Sequence, residues 1–300
     1  MGTPQSSRSS TQLIDKRVNW SLKWLQKTGE QLLPDQKTFA WQQVEVDSLA
    51  AFRQLATALH SIALYFGTRG SVSIRRPAGD PWADVQTAVL CYTWSVRLQL
   101  RTYWAALPNQ RIPAFVQHAA FPALLLLCAF VTMDDKDEEE WARQWIRPLL
   151  DDRGARLYTV FAGRHFEPFL IWLYFQKYRG ESIEGYGVEE IGAYRRLVDS
   201  WNDPTSLVEG LQDACEYHCQ RMIDRDANWK ADFDYPPFDL IPFEITCTKK
   251  IRDRLGLATP AFSHPLMLEL PGQLQHHLDG EVEELIEAIQ RKYRRTFVSD

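Results

Sequence analysis

The stretch LAAFRQLATALHSIALYF, residues 49–66, decides the fold class. Its large apolar residues, Leu49, Phe52, Leu55, Leu59, Ile62 and Phe66, recur every three to four positions. That spacing lines one face of an α-helix, whereas a half-buried strand needs strict alternation. Trp82, Val85, Val89, Tyr92, Val96 and Tyr103 repeat the pattern, interrupted at Gln99. Leu207, Leu211, Cys215, His218 and Met222 make a third stripe, and residues 137–150 and 166–178 read as shorter, aromatic-rich helices. Strand signals are scarce; residues 71–74 are the one short candidate, inside a Gly- and Pro-containing break at 67–81.

The helix ends are also legible. Asp239 reads as an N-cap, with Pro242 in the first turn and Gly256 as the stop. Asp279 opens the last helix. Glu281, Glu283 and Glu284 crowd its start, and Arg291, Lys292, Arg294 and Arg295 close it, which complements the helix dipole. Further breaks fall at 107–113, 179–187 and 226–237, none long enough for a domain linker. The expectation is an all-α protein: one irregular bundle of nine to eleven helices over residues 11–300, after a disordered tail at 1–10 that is polar and has no apolar anchor.

The chain has 300 residues, 45% apolar and 24% charged, which excludes wholesale disorder. Eleven Trp, eleven Tyr and fifteen Phe imply a ring-rich core, an aromatic surface, or both. A net charge of −5 argues against a generic nucleic-acid binder, whose affinity rests on a basic face. That charge is concentrated in DDKDEEE: Asp134, Asp135, Asp137, Glu138, Glu139 and Glu140 around the single Lys136. An acidic run of this kind suits a basic partner. Five cysteines, mostly within apolar helical runs, read as reduced thiols of a cytoplasmic protein. The N-terminus has no apolar signal core. The most apolar stretch, 118–131, is fourteen residues with Pro122 inside and too short to cross a bilayer, so no membrane partner is expected.

Three chemical patterns compete with plainer readings. Asp134-Asp135-x-Asp137-Glu138 on an all-α frame invites a magnesium–diphosphate site of terpene-synthase type. Its second motif needs an acid one residue after Glu209, where Gly210 stands, and Asp203 precedes Pro204, which favours an extended cap over a helix interior. An acidic helix start and a helix cap are the favoured readings. Cys215, His218 and Cys219 are zinc-ligand types, but no fourth ligand is close in sequence; Cys247 and His264 are isolated. A packed core with one hydrogen-bonded histidine is favoured. His276 and His277 read as solvated, and Arg291 to Arg295 as i,i+4 partners of the glutamates on the same helix. No nucleophile elbow and no phosphate-binding glycine loop occur. No catalytic residue, cofactor or metal is therefore assigned.

From Leu207 onward the chain reads as a helix ending in Ala-Cys-Glu-Tyr-His-Cys, then a polar aromatic loop with Trp229, Phe233 and Tyr235. Pro-Phe-Asp-Leu-Ile-Pro-Phe-Glu-Ile follows, then a helix with Arg252, and Leu-Gly-Leu-Ala-Thr-Pro before His264 and Met267. This order resembles the C-terminal region of all-helical immunity proteins of bacterial polymorphic-toxin systems, type VI secretion among them. The nearest are immunity protein family 49 and the immunity proteins that guard polymorphic nuclease effectors. The resemblance implies a cytoplasmic, non-catalytic antitoxin that binds and blocks one cognate toxin domain. A rigid helical frame, an acidic run and aromatic anchors suit an inhibitor. The candidate toxin-binding residues are Asp134, Asp135, Asp137, Glu138, Glu139, Glu140 and Trp141, with the acids expected exposed and facing the partner. The alternatives are a magnesium-dependent all-α enzyme and a general helical interaction scaffold.

Overall fold

The computed structural model describes residues 9–76, 80–106, 114–151, 165–183, 188–222, 233, 235–269 and 278–297. Among these residues there is no strand, and directly continuous segments count as ten helices, within the expected range. In chain order, α1 (Ser10–Trp24) passes through a π-helical turn (Leu25–Gly29) into α2 (Glu30–Val44). Then come α3 (Leu49–Arg75), α4 (Pro81–Ala106), α5 (Ala114–Met133) and α6 (Lys136–Asp151). α7 (Phe166–Leu170) continues as a π-helix (Ile171–Tyr178), and a 3-10 segment (Val188–Tyr194) leads into α8 (Arg195–Asp199). α9 (Pro204–Arg221), α10 (Phe243–Arg254) and α11 (Gly280–Phe297) complete the chain. No helix among the described residues is long and apolar enough to cross a membrane.

The stripes face the core as their spacing predicts. Phe52, Leu55, Leu59, Ile62 and Phe66 on α3 are buried, whereas Leu49 at the helix start is exposed. Val85, Val89, Tyr92 and Val96 on α4 are buried and the interrupting Gln99 is exposed. α3 and α4 form the main packed pair, with α2 on α3 and α5 on α4. α10 and α6 both pack on α5.

Four expectations need correction. The first helix begins earlier than the end of the expected tail. Ser9 caps α1 in a capping box with Gln12, and Ser10 is buried and donates to Glu216 Oε2 at 2.6 Å. Residues 1–8 of that tail lie outside the described residues. Secondly, the break at 67–81 is mostly helix, since α3 runs on to Arg75 through residues 71–74. Its glycines allow close approach rather than a turn. A Cβ at Gly67 would stand 2.6 Å from the Pro236 carbonyl, and one at Gly70 2.9 Å from the Pro81 carbonyl oxygen. Gly67→Ala is thus expected to lose about 1–3 kcal/mol by overpacking, more than the helix propensity it gains. A urea unfolding midpoint equal to or above that of the parent would contradict this.

Thirdly, Asp239 is not the cap of α10; Pro242 holds the N-cap position. Asp239 lies upstream, fully buried, and accepts from Arg17 Nε at 2.6 Å. Fourthly, Lys292 does not sit on the charged face of α11. It is buried, and its Nζ donates to the Val44 and Val46 carbonyls at 3.1 and 2.5 Å, satisfying the end of α2. The remaining end signals hold. Gly256, at φ 70°, sits where Gly256 N donates to Asp253 O and Leu257 N to Arg252 O, a Schellman ending. Asp279 Oδ1 accepts from Val282 N at 3.1 Å at the start of α11.

Candidate functional site

The acidic run occupies the corner between α5 and α6. Asp134 turns the chain with φ 62°, a conformation more open to Asp than to most residues. Asp135 caps α6, its Oδ1 accepting from Glu138 N at 3.1 Å. Asp137, Glu138 and Glu139 fall in the first turn of α6, where the helix dipole favours them.

The expected row of exposed carboxylates is not found. Asp134 is exposed but accepts from Arg254 Nη2 at 2.6 Å, with Lys136 at 3.2 Å and Lys250 at 3.6 Å. Glu138 is half-buried and paired with Arg97 at 2.6 Å. Glu139 is only 3% exposed; it accepts from Arg254 Nη1 at 2.7 Å and from the Tyr174 hydroxyl at 3.0 Å. Glu140 takes a two-pronged hydrogen bond from Arg143 and a third from Arg179. The physical reason is helical register: Glu139 shares the inward face of α6 with the buried Ala142, Ile146 and Leu150. Arg97, Arg143, Arg179, Lys250 and Arg254 thus bring five further cations to a run whose net charge is −5. Asp137 stands exposed with no hydrogen-bond or ion-pair partner among the described residues. Trp141 is half-buried rather than free: the Arg97 guanidinium lies over its ring at 4.3 Å and over Trp94 at 4.9 Å.

These contacts shift the carboxyls in different directions. The Arg254 hydrogen bond holds Asp134 down at about 2, and Arg143 does the same for Glu140, also at about 2. Burial pushes Glu138 up. A depressed carboxyl stabilises the fold fully above its unfolded pKa, and that stability is lost as pH falls through the folded value. The protein is therefore expected to weaken progressively from about pH 5 toward pH 2. Urea unfolding at pH 6 and pH 3 checks this; Arg254→Met, in which Asp134 keeps only Lys136 and Lys250, should show a shallower fall.

The same corner forms one wall of a groove of about 460 Å³ between α4, α5 and the start of α6. Val89, Leu90, Phe130, Met133 and Leu278 supply its apolar surface. Its rim carries Asp134, Asp135, Asp137 and Glu138 against the one ammonium of Lys136. Gln86 and Thr93 complete the lining. The Gln86 side chain is 7% exposed, and its Oε1 is buried without a hydrogen-bond partner. No sequence signal marks Gln86: it becomes notable only when α4 meets α5.

The other sequence candidates serve the fold. Cys215, His218 and Cys219 are all fully buried. His218 Nε2 donates to the Asp239 carbonyl at 2.9 Å, and its Nδ1 lies 2.7 Å from Glu244 Oε1. Both ring nitrogens are therefore taken, as the core reading of His218 requires. Burial pushes the Cys215 thiol up and the Cys219 thiol to about 12, away from the thiolate form that metals and nucleophilic chemistry use. Among the described residues no group of three or more His, Cys, Asp or Glu is placed to hold a metal ion.

Asp203 caps α9, accepting from Thr205 N and from Ser206 Oγ, and Glu209 pairs with Arg196. Position 210 admits no acid, because a Cβ there would stand 2.6 Å from the Leu197 Cα. His264 bridges Leu266 N and Glu216. Arg291 pairs with Glu287 at i,i+4. Phe233 is buried and stacks on His218. Trp229, His276 and His277 lie outside the described residues. No family model matches the sequence, and no curated protein or solved structure is significantly similar to it.

Proposed function

We propose that this protein is a cytoplasmic, non-catalytic antitoxin of the immunity type, which binds a cognate toxin or effector domain and blocks it. The observation that carries the reading is the acid-rimmed groove on a rigid helical frame. Most of the acidic run is neutralised from within, so the charge offered to a partner narrows to one place, Asp135 and Asp137 beside an apolar cleft. A localised field of this kind steers a basic partner and fixes its register. The resemblance of residues 207–267 to helical immunity proteins agrees with that reading.

The test is co-expression with the product of the adjacent gene, scored by toxicity of that product alone, by co-purification and by protection of the cells. Asp137→Lys reverses the unpartnered acid without touching the internal pairs. It is expected to remain folded, to slow association and to flatten its salt dependence. Toxicity unrelieved by the parent protein would defeat the proposal.

A further inference from the structure

We propose that Cys128 on α5 and Cys247 on α10 form a redox-sensitive pair, which a peroxide-class oxidant joins into a disulfide that locks the two helices together. The pair is a property of the fold and holds whatever partner the protein binds.

Helical register brings the two thiols together. Cys128 lies between Leu124 and Val131 on the inward side of α5, and Cys247 between Phe243 and Ile251 on that of α10. All six side chains are buried, the two cysteines at 1% exposure each. α10 packs on α5, and the Cys128 and Cys247 thiols share a hydrogen bond across the junction. The remaining cysteines are placed differently. Cys215 and Cys219 lie one turn apart on α9, where Cys219 hydrogen-bonds with Ser10. Cys91 stands on α4.

The chemistry runs in two steps. One sulfur, as its thiolate, attacks a peroxide oxygen; the O–O bond breaks, and a sulfenic acid and a water form. The second sulfur then attacks the sulfenic sulfur, the S–OH bond breaks, and a second water leaves. In all, the two thiols lose two electrons and two protons, and the peroxide is reduced to two waters. Because the second step is intramolecular, the disulfide closes faster than the sulfenic acid meets more oxidant.

Burial controls access. It pushes the Cys128 thiol well up, with Glu244 adding to the effect, so the closed fold holds little thiolate and admits little oxidant. Oxidation therefore requires α10 to part locally from α5. Arg254 on α10 resists that parting, since its Nη2 lies 2.6 Å from Asp134, the residue that follows α5. Once formed, the disulfide closes a loop of about 120 residues, which restricts the unfolded chain strongly. A transient opening under oxidant is thus converted into a junction that stays shut.

The reduced full-length protein is treated with hydrogen peroxide, in buffer and in urea below the unfolding transition, then alkylated and digested without reduction. Loss of two of the five alkylatable thiols is expected, with a peptide pair linked through Cys128 and Cys247. The urea midpoint of the linked form should rise by about 1 M and return on treatment with dithiothreitol. Linkage should form several-fold faster in the urea sample and in Arg254→Met. Cys247→Ala should give neither the linked peptide nor the rise, whereas Cys91→Ala should give both. Five alkylatable thiols after peroxide in urea, linkage through other cysteines, or a linked form with no higher midpoint would overturn the proposal. The peptide map of the parent protein decides the pairing even where a variant fails to fold.

Discussion

Replacing Arg254 by Met is expected to cost about 3–5 kcal/mol of stability, the scale for stranding a buried charge. Arg254 joins the end of α10 to the corner between α5 and α6. Its two terminal nitrogens reach Glu139 at 2.7 Å and Asp134 at 2.6 Å, and its guanidinium lies 5.5 Å from the Tyr178 ring centre. Methionine keeps much of the stem that packs there, so the loss isolates the charge. Without Arg254, Glu139 stays buried with only the Tyr174 hydroxyl and a distant Lys136. Glu139→Gln in the same background removes the stranded charge and should recover part of the loss. Urea unfolding of the two single variants and the double variant measures the coupling. A loss below about 1 kcal/mol in Arg254→Met would place this pair among weak surface ion pairs.

The second large effect is expected at Arg17, again about 3–5 kcal/mol for Arg17→Met. Arg17 is 5% exposed and Asp239 0%. The pair ties α1 to the turn before α10, and the Asp239 carbonyl in turn receives the His218 Nε2 hydrogen from α9. Glu244 at the start of α10 closes the set against His218 Nδ1, with Phe233 stacked on the imidazole at 3.8 Å between ring centres. Removing the guanidinium leaves the Asp239 carboxylate with Leu240 N at 2.8 Å as its remaining donor among these groups. Adding Asp239→Asn should restore part of the stability, because a neutral amide is cheaper to bury. Full stability in Arg17→Met would mean that the network does not hold α1 against the body of the protein.

Periodicity carried the fold class. Residues 52–66, 85–96 and 207–222 could face inward on one side only if helical, and they do. What sequence spacing hid were contacts between distant segments. Gly67 and Gly70 read as a break because glycine weakens a helix, yet here they admit the backbone of residues 236 and 81. Asp239 has the chemistry of a cap, and its burial depends on Arg17, 222 residues away. The acids of 134–140 looked exposed because their partners arrive from Arg97, Arg179 and Arg254. Glu139 alone carried a readable warning, since it shares the helical register of Ala142, Ile146 and Leu150. The groove combines residues near 86–93, 130–138 and 278, and no single stretch announces it.

The acidic run thus has two parts. Asp134, Glu138, Glu139 and Glu140 brace the corner through internal ion pairs. Asp135 and Asp137 border the groove, and only Asp137 has no hydrogen-bond or ion-pair partner among the described residues. Neutralising the first set should unfold or loosen the corner, whereas Asp137→Lys should alter recognition and leave the fold intact.

The most direct measurement is hydrogen–deuterium exchange of the protein alone and in complex with the proposed toxin partner, once co-purification has identified it. Slowed exchange on binding is expected in the start of α4 around Gln86 and in the 133–138 corner, and weaker slowing there for Asp137→Lys. Protection confined to the segments around the exposed Trp20 and Trp41, with residues 86–93 and 133–138 unchanged, would contradict the account.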